Sequence, residues 1–270
     1  MKHKHRRAHF WIALTVLAIL ALLFWRREML STWLAGLTRP PAAGAPRTLV
    51  SSVSVEPSLA PIETFRFEDA ASLAQWEQKV FKGKTLYQIE SPQGQRPYLS
   101  ALSENSSCGL YMKTHQEATP QLFLSWKWRA RVFPKKKEPM KLSSRSQDDF
   151  AARVYVIFEA SNLFRSDVIE YIWDDSLPEG TVEDSPYSER IKLFVIRSGL
   201  AAEADGGWRI ETRNPRQDYT DLFGKAPKNP IGILALMCDS DNTGTSAQAD
   251  FDEIAFGTKN RDNSNGEGSR

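Results

Sequence analysis

Between Glu63 and Phe256 the apolar positions recur with a period of two, the period of a strand with one covered face. From Gln121 to Val132, the residues Leu122, Leu124, Trp126, Trp128, Ala130 and Val132 share one parity. Phe150 to Glu159 differs, with Val154, Val156 and Phe158 on one parity and Arg153, Tyr155 and Ile157 on the other. Both faces of that segment look covered, which predicts a central strand. Further strands are expected over Val168–Trp173, Ile191–Ser198, Trp208–Arg213, Ile231–Cys238 and Phe251–Phe256, and over Lys84–Ile89, Tyr98–Leu102 and Leu110–Thr114. Ser91-Pro92-Gln93-Gly94, Leu177-Pro178-Glu179-Gly180 and Asp205-Gly206-Gly207 read as turns between them. Helical stretches are few: Leu73–Gln78 reads as one turn or two, and Asp218–Phe223 as another ended by Gly224. So many strands with so little helix predict an all-β chain, a β-sandwich of jelly-roll-like form. Phe65-Arg66-Phe67-Glu68-Asp69 and Asp250–Phe256 look like its first and last strands.

The N-terminus follows a different pattern. Lys2, Lys4, Arg6 and Arg7 precede Phe10–Trp25, a run without charge. At 1.5 Å per residue this run reaches about 24 Å, short of the ~30 Å hydrocarbon core. Arg26 and Arg27 can snorkel, and Trp11, Trp25 and Trp33 suit membrane interfaces. The alternative is a cleaved signal peptide, but no small-residue cleavage site follows Trp25 closely. A single N-terminal transmembrane helix within residues 1–38 is therefore expected. The basic tip is then cytoplasmic and the body periplasmic, at a bacterial inner membrane. Residues 39–61, which hold Pro40-Pro41-Ala42-Ala43-Gly44-Ala45-Pro46, read as a tether. Residues 62–257 form the sandwich, and 258–270 read as a disordered tail.

Charge follows the same division. Of 35 Lys/Arg and 33 Asp/Glu, seven basic residues and one acidic residue lie within 1–39, so the body carries about −4. A mildly acidic body argues against nucleic acid as a partner. His115 is the only histidine beyond the first nine positions, which disfavours a histidine metal site or triad. There is no Gly-rich phosphate loop and no CxxC. Cys108 and Cys238 are the only cysteines. They are either two buried thiols or, in an oxidising compartment, a disulfide.

Three segments resemble the bacterial domain of unknown function 3047 family. They are Asp148–Phe158, then Glu211–Asn214 with Asp218-Tyr219 and Leu222–Gly224, then Asp239–Thr243, preceded by the strand Leu124–Trp128. The resemblance covers roughly Phe65 to Phe256 and implies no activity. Cys238 stands where the resemblance implies a small hydroxyl residue. The end strands also resemble those of carbohydrate-binding jelly rolls, in which first and last strands often pair near a calcium ion.

Candidate chemistry falls in three groups. Asp239, Asp241 and Thr243 alternate as in loops that wrap Ca²⁺, and Asp252 is placed to return nearby. The same loop also reads as an ordinary Asp-stabilised turn or as a ligand-facing loop. Arg153 lies in an apolar strand and must find a carboxylate or an anionic or sugar ligand. Arg213 and Asn214, with Asp148, Asp149 and Asp218 as partners, complete that constellation. Among aromatics, Trp126 and Trp128 share a core face, while Tyr155, Tyr171, Trp173 and Trp208 are candidate sugar stackers, Trp173 foremost. Lys135-Lys136-Lys137 reads as a solvated hairpin tip.

These features predict a membrane-anchored envelope β-sandwich. Its ligand is a glycan or another envelope component, bound by Arg153, Arg213, Asn214, Trp173, Tyr155 and Asp149, with Ca²⁺ held by Asp239, Asp241, Thr243 and Asp252. Two alternatives stand beside it. One is a polysaccharide hydrolase or lyase with an acid–base pair drawn from Glu159, Glu170, Asp174 and Glu211. The other is a structural partner in an envelope protein complex.

Overall fold

The computed structural model describes residues 47–48, 59–138, 140–161, 165–200 and 206–259. The expected anchor, most of the tether and nearly all of the tail lie outside the described residues. Among the described residues, no helix is long and apolar enough to cross a membrane.

Among the described residues, fourteen strands make two sheets. They are β1 (Arg47–Thr48), β2 (Leu59–Phe65), β3 (Glu77–Lys82), β4 (Leu86–Glu90), β5 (Tyr98–Glu104), β6 (Ser107–Gln116) and β7 (Leu122–Val132). After them come β8 (Ala152–Phe158), β9 (Asp167–Asp174), β10 (Thr181–Ser185), β11 (Ser188–Ser198), β12 (Arg209–Arg213), β13 (Ile231–Asp239) and β14 (Ser246–Lys259). The eight-stranded sheet runs β1-β10-β11-β9-β8-β13-β6-β3. The six-stranded sheet runs β12-β7-β14-β5-β4, with β2 also on β14. Pairing is antiparallel except between β9 and β11. Strand structure extends slightly beyond both ends of the 62–257 span.

The core lies between the sheets, on the parities the sequence marks. Leu122, Leu124, Trp126, Trp128 and Ala130 of β7 are buried against Val154, Val156 and Phe158 of β8 and Leu234, Leu236 and Cys238 of β13. Trp126 packs on Tyr171 with ring centroids 5.2 Å apart, and Trp128 on Trp173 at 5.4 Å. Such pairs add about 0.5–1.5 kcal/mol each beyond their area. As expected, β8 is central, between β9 and β13. The first long strand also pairs with the last, Phe65 opposite Ile254.

Two local expectations are corrected. The helix over Leu73–Gln78 is instead a short turn, α1 (Ala70–Leu73), capped where Asp69 Oδ1 accepts from Ser72 N at 2.8 Å. Glu77 onward is strand β3, because those residues pair with the edge of β6 while Trp76 packs on Phe65 and Phe67. The Lys135-Lys136-Lys137 run is no solvated hairpin tip. It lies in the 133–151 segment, which crosses the outer face of the eight-stranded sheet. There Leu142 and Phe150 make a second small core with Ile172, Leu193 and Val195. The Lys136 side chain is 3% exposed and its Nζ is 2.6 Å from Asp174 Oδ2. The second helix, α2 (Pro215–Phe223), ends as expected at Gly224, whose φ of 69° suits glycine.

The pairing of β2 with β14 depends on a glycine. A Cβ at Gly257 would sit 2.6 Å from the Ala60 carbonyl oxygen and 3.1 Å from Leu59 Cβ. The obstacle is backbone, so a side chain there forces the strands apart. Gly257→Ala is expected to destabilise the domain by about 1–3 kcal/mol, read by denaturant unfolding. A wild-type midpoint would show that β2 is free to shift.

Candidate functional site

Most sequence-predicted site residues converge on one place, the end of the eight-stranded sheet beneath the 133–151 segment. The strand alternation that buries Val154 and Val156 inside turns Arg153 and Tyr155 to the outer face. Arg153 is 2% exposed, and all five of its N–H donors are used. Nε donates to Asp239 Oδ1 at 3.0 Å, and Nη2 to Asp239 Oδ2 at 2.6 Å and to the Asp148 carbonyl at 2.5 Å. Nη1 donates to Asp148 Oδ1 at 3.3 Å and Glu170 Oε2 at 3.1 Å. The Phe150 ring covers the guanidinium, 4.5 Å from centroid to Cζ. Tyr155 lies alongside, its hydroxyl 3.3 Å from Met237 Sδ.

Asp149 serves the neighbouring turn. Its Oδ1 accepts from Asn242 N and Nδ2, both at 3.1 Å, and its Oδ2 accepts from Thr243 N at 2.6 Å. The Thr243 hydroxyl bonds within the turn, to Ser240 O and Thr245 Oγ1. Asp149, Asp239 and Asp241 each bring a carboxylate oxygen within 4.8 Å of the others, a grouping that could hold a metal ion. Yet the oxygens of Asp149 and Asp239 already accept protein N–H groups. Asp252 lies elsewhere, on β14 of the six-stranded sheet.

Burial sets the electrostatics of this knot. It raises the carboxyl of Asp148 to about 6 and that of Glu170 to about 7, against the pull of Arg153. Asp239 is also raised by burial. Burial works the same way on Asp174, but there the Lys136 ammonium and the amides of Ser176 and Leu177 outweigh it and hold the pKa low.

The remaining predicted residues do not join this place. Trp173 is 1% exposed, a core ring whose Nε1 donates to Gly199 O at 2.8 Å. Arg213 points between the sheets, bonded through two nitrogens to Asp218 at 3.0 and 2.5 Å and lying over Phe194. Arg153 and Arg213 therefore share no cleft. Asn214 caps α2, its Oδ1 accepting from Gln217 N at 2.9 Å.

A second cluster lies on the outer face of the six-stranded sheet. Lys127, Arg129 and Arg131 alternate along β7 with the buried Trp126, Trp128 and Ala130. Asp250 of β14, wholly buried, faces Arg129 in the register and binds the Nε of both Arg129 and Arg131. Gly206 and Gly207, at φ of 62° and 76°, make the turn that brings Trp208 onto this face. Trp208 meets Tyr98 edge-on at 5.4 Å. Arg129 lies over both rings, 4.6 Å from Trp208 and 5.1 Å from Tyr98. Lys127 Nζ is 5.2 Å from the Trp208 ring. Arg131 Nη2 donates to the Tyr98 hydroxyl at 2.9 Å. Trp208 is partly exposed, as Trp173 is not. The signal for this face was the cation at every second position opposite a tryptophan, from Lys127 to Arg131.

The raised carboxyls give the knot a definite pH response. A carboxyl whose pKa rises on folding favours the folded state while protonated. That contribution is full below the unfolded value and lost as pH climbs through about 6 for Asp148 and about 7 for Glu170. The thermal midpoint is expected to fall by about 3–8 °C from pH 5 to pH 8, and Glu170→Gln to flatten the profile. A midpoint that rises over this range would contradict the assignment.

No curated protein sequence matches the chain. Solved structures with a similar arrangement include a xylanase fragment from Clostridium thermocellum carrying carbohydrate-binding and catalytic modules with xylohexaose. It is 12% identical, has a TM-score of 0.39, and the match covers 74% of this chain and 29% of that longer one. A family 11 carbohydrate-binding module from the same organism, with a mixed-linked tetrasaccharide, is 12% identical at a TM-score of 0.38, covering 73% of this chain and 98% of the module. The xyloglucanase domain of a Sinorhizobium fredii effector, with cellobiose, is 10% identical at 0.40, covering 75% and 100%. The sequence itself is more specific: residues 74–255, which hold both clusters, match the family described as "Protein of unknown function (DUF3047)", and the chain belongs to that family.

Proposed function

We propose that the protein is a non-catalytic, glycan-binding β-sandwich of jelly-roll-like form, whose binding face is the outer face of the six-stranded sheet. The observation that carries this reading is the Tyr98–Trp208 pair, set among Lys127, Arg129 and Arg131 and anchored on the buried Asp250. A sugar ring asks for an aromatic surface and for fixed hydrogen-bond donors around it. Asp250 holds the guanidinium groups in place before any ligand arrives, which lowers the entropy cost of binding. The apolar run at Phe10–Trp25 supports a membrane-anchored form with the sandwich on the periplasmic side.

The hydrolase alternative is weaker on geometry. Asp148 and Glu170, whose carboxyls burial raises to about 6 and about 7, both bind Nη1 of Arg153, where the Phe150 ring covers the guanidinium. An acid and base for glycoside cleavage face each other across an open cleft.

Binding is tested by affinity electrophoresis and calorimetry against a panel of soluble polysaccharides and peptidoglycan fragments. Trp208→Ala is expected to weaken binding at least tenfold, about 1.4 kcal/mol, with an unchanged thermal midpoint. If the wild-type chain binds none of the panel, or Trp208→Ala binds equally well, the reading fails.

The Asp-rich turn holds the Arg153 guanidinium as its cation. Ca²⁺ takes six to eight oxygens, and here Asp149 and Asp239 are engaged by N–H donors. A metal would have to displace Arg153 into an apolar setting. The thermal midpoint in EDTA is therefore expected to match that in millimolar Ca²⁺ within about 1 °C. A midpoint that climbs with Ca²⁺ concentration would sink this view and restore Asp239 and Asp241 as ligands.

A further inference from the structure

Cys108 of β6 and Cys238 of β13 are Cα partners in the register of two adjacent antiparallel strands. Directly opposed residues point to the same face, and both side chains are wholly buried in the inter-sheet core. The hydrogen-bonding type of this pair follows from the same register. Ser240 N donates to Ser106 O at 3.0 Å, two residues further on in each chain direction. Pair types alternate along an antiparallel ladder, so Cys108 and Cys238 also form a hydrogen-bonded pair, with Cα atoms about 5.5 Å apart. That lies inside the roughly 4.4–6.8 Å span of disulfides.

We propose that Cys108 and Cys238 are a disulfide site, joined across β6 and β13 when the chain folds in the presence of a disulfide oxidant. Both are free thiols in the structure described, so the site is reduced there. Burial also raises both thiol pKa values, which leaves little thiolate in the folded core. The bond therefore closes during folding, before the sheets meet. One thiolate attacks the disulfide of a glutathione-type or protein-dithiol oxidant and displaces one of its sulfurs. The second thiolate then attacks the mixed disulfide and releases the other. The two cysteines lose two protons and two electrons, and the oxidant's disulfide leaves as two thiols. The hydrogen-bonded position asks the Cβ atoms to approach more closely than the ladder sets them, so the bond is a strained one. Once the core has closed, reductant reaches it only through unfolding.

The test refolds the full chain from guanidinium in a reduced/oxidised glutathione buffer, then alkylates under denaturing conditions and maps the peptides by mass. The expected product is monomeric, two hydrogens lighter than the reduced chain, with the Cys108 and Cys238 peptides joined. Its thermal midpoint is expected about 10 °C above that of the reduced form. Cys108→Ser and Cys238→Ser should each abolish the joined peptide and the sensitivity to reductant. Two alkylated thiols, stable glutathione adducts or a disulfide-linked dimer as the main product would each overturn the proposal.

Discussion

Arg153 ties together parts of the chain that are far apart in sequence. Its five N–H donors reach Asp148 before β8, Glu170 on β9 and Asp239 at the end of β13. Phe150, which covers the guanidinium, also belongs to the small core under the 133–151 segment. A guanidinium this deeply buried is tolerable only if every donor is matched, so the matching fixes where these elements lie. The segment cannot lift, and the Asp239–Thr245 turn cannot unwind, without leaving charge unpaired in an apolar setting. Such a knot adds little net stability over a well-packed apolar core. It makes one arrangement far cheaper than its neighbours.

This division separates the two outer faces. The eight-stranded sheet is covered at one end by a segment pinned through Arg153 and through Lys136–Asp174. Its charges are directed inward. On the six-stranded sheet the carboxylate is the buried partner and the cations and the Trp208 ring reach the surface, with Asp250 beneath Arg129 and Arg131. The first arrangement spends its polar groups on holding the chain, whereas the second leaves donors and an aromatic edge facing solvent.

The sandwich was legible because strand periodicity is a local signal. Leu122 to Ala130 announced one buried face, and Val154 to Phe158 another. Local signals fail where pairing decides. Leu73–Gln78 reads as helix until β6 supplies an edge for Glu77 onward. The site was legible in part. The isolated Arg153 in an apolar strand demanded partners; of the carboxylates named for that role Asp148 binds it, and Glu170 and Asp239 join it. Whether those partners were protein or ligand depended on where three distant strands lay, which no spacing encodes. Trp173 and Trp208 each end or begin a strand beside polar residues, yet one faces Trp128 and the other Arg129. Only the sheet assignment separates them.

The C-terminal strand has a place with consequences for synthesis. β14 lies between β7 and β5 and also carries β2, so the last strand of the described residues is an inner member of its sheet. Until it emerges, β5 and β7 each show an unpaired edge. Closure of the six-stranded sheet waits for β14, at the high contact order of such long-range pairings. A nascent or truncated chain is thus an assembly of open edges, of the kind that invites aggregation and holding by chaperones.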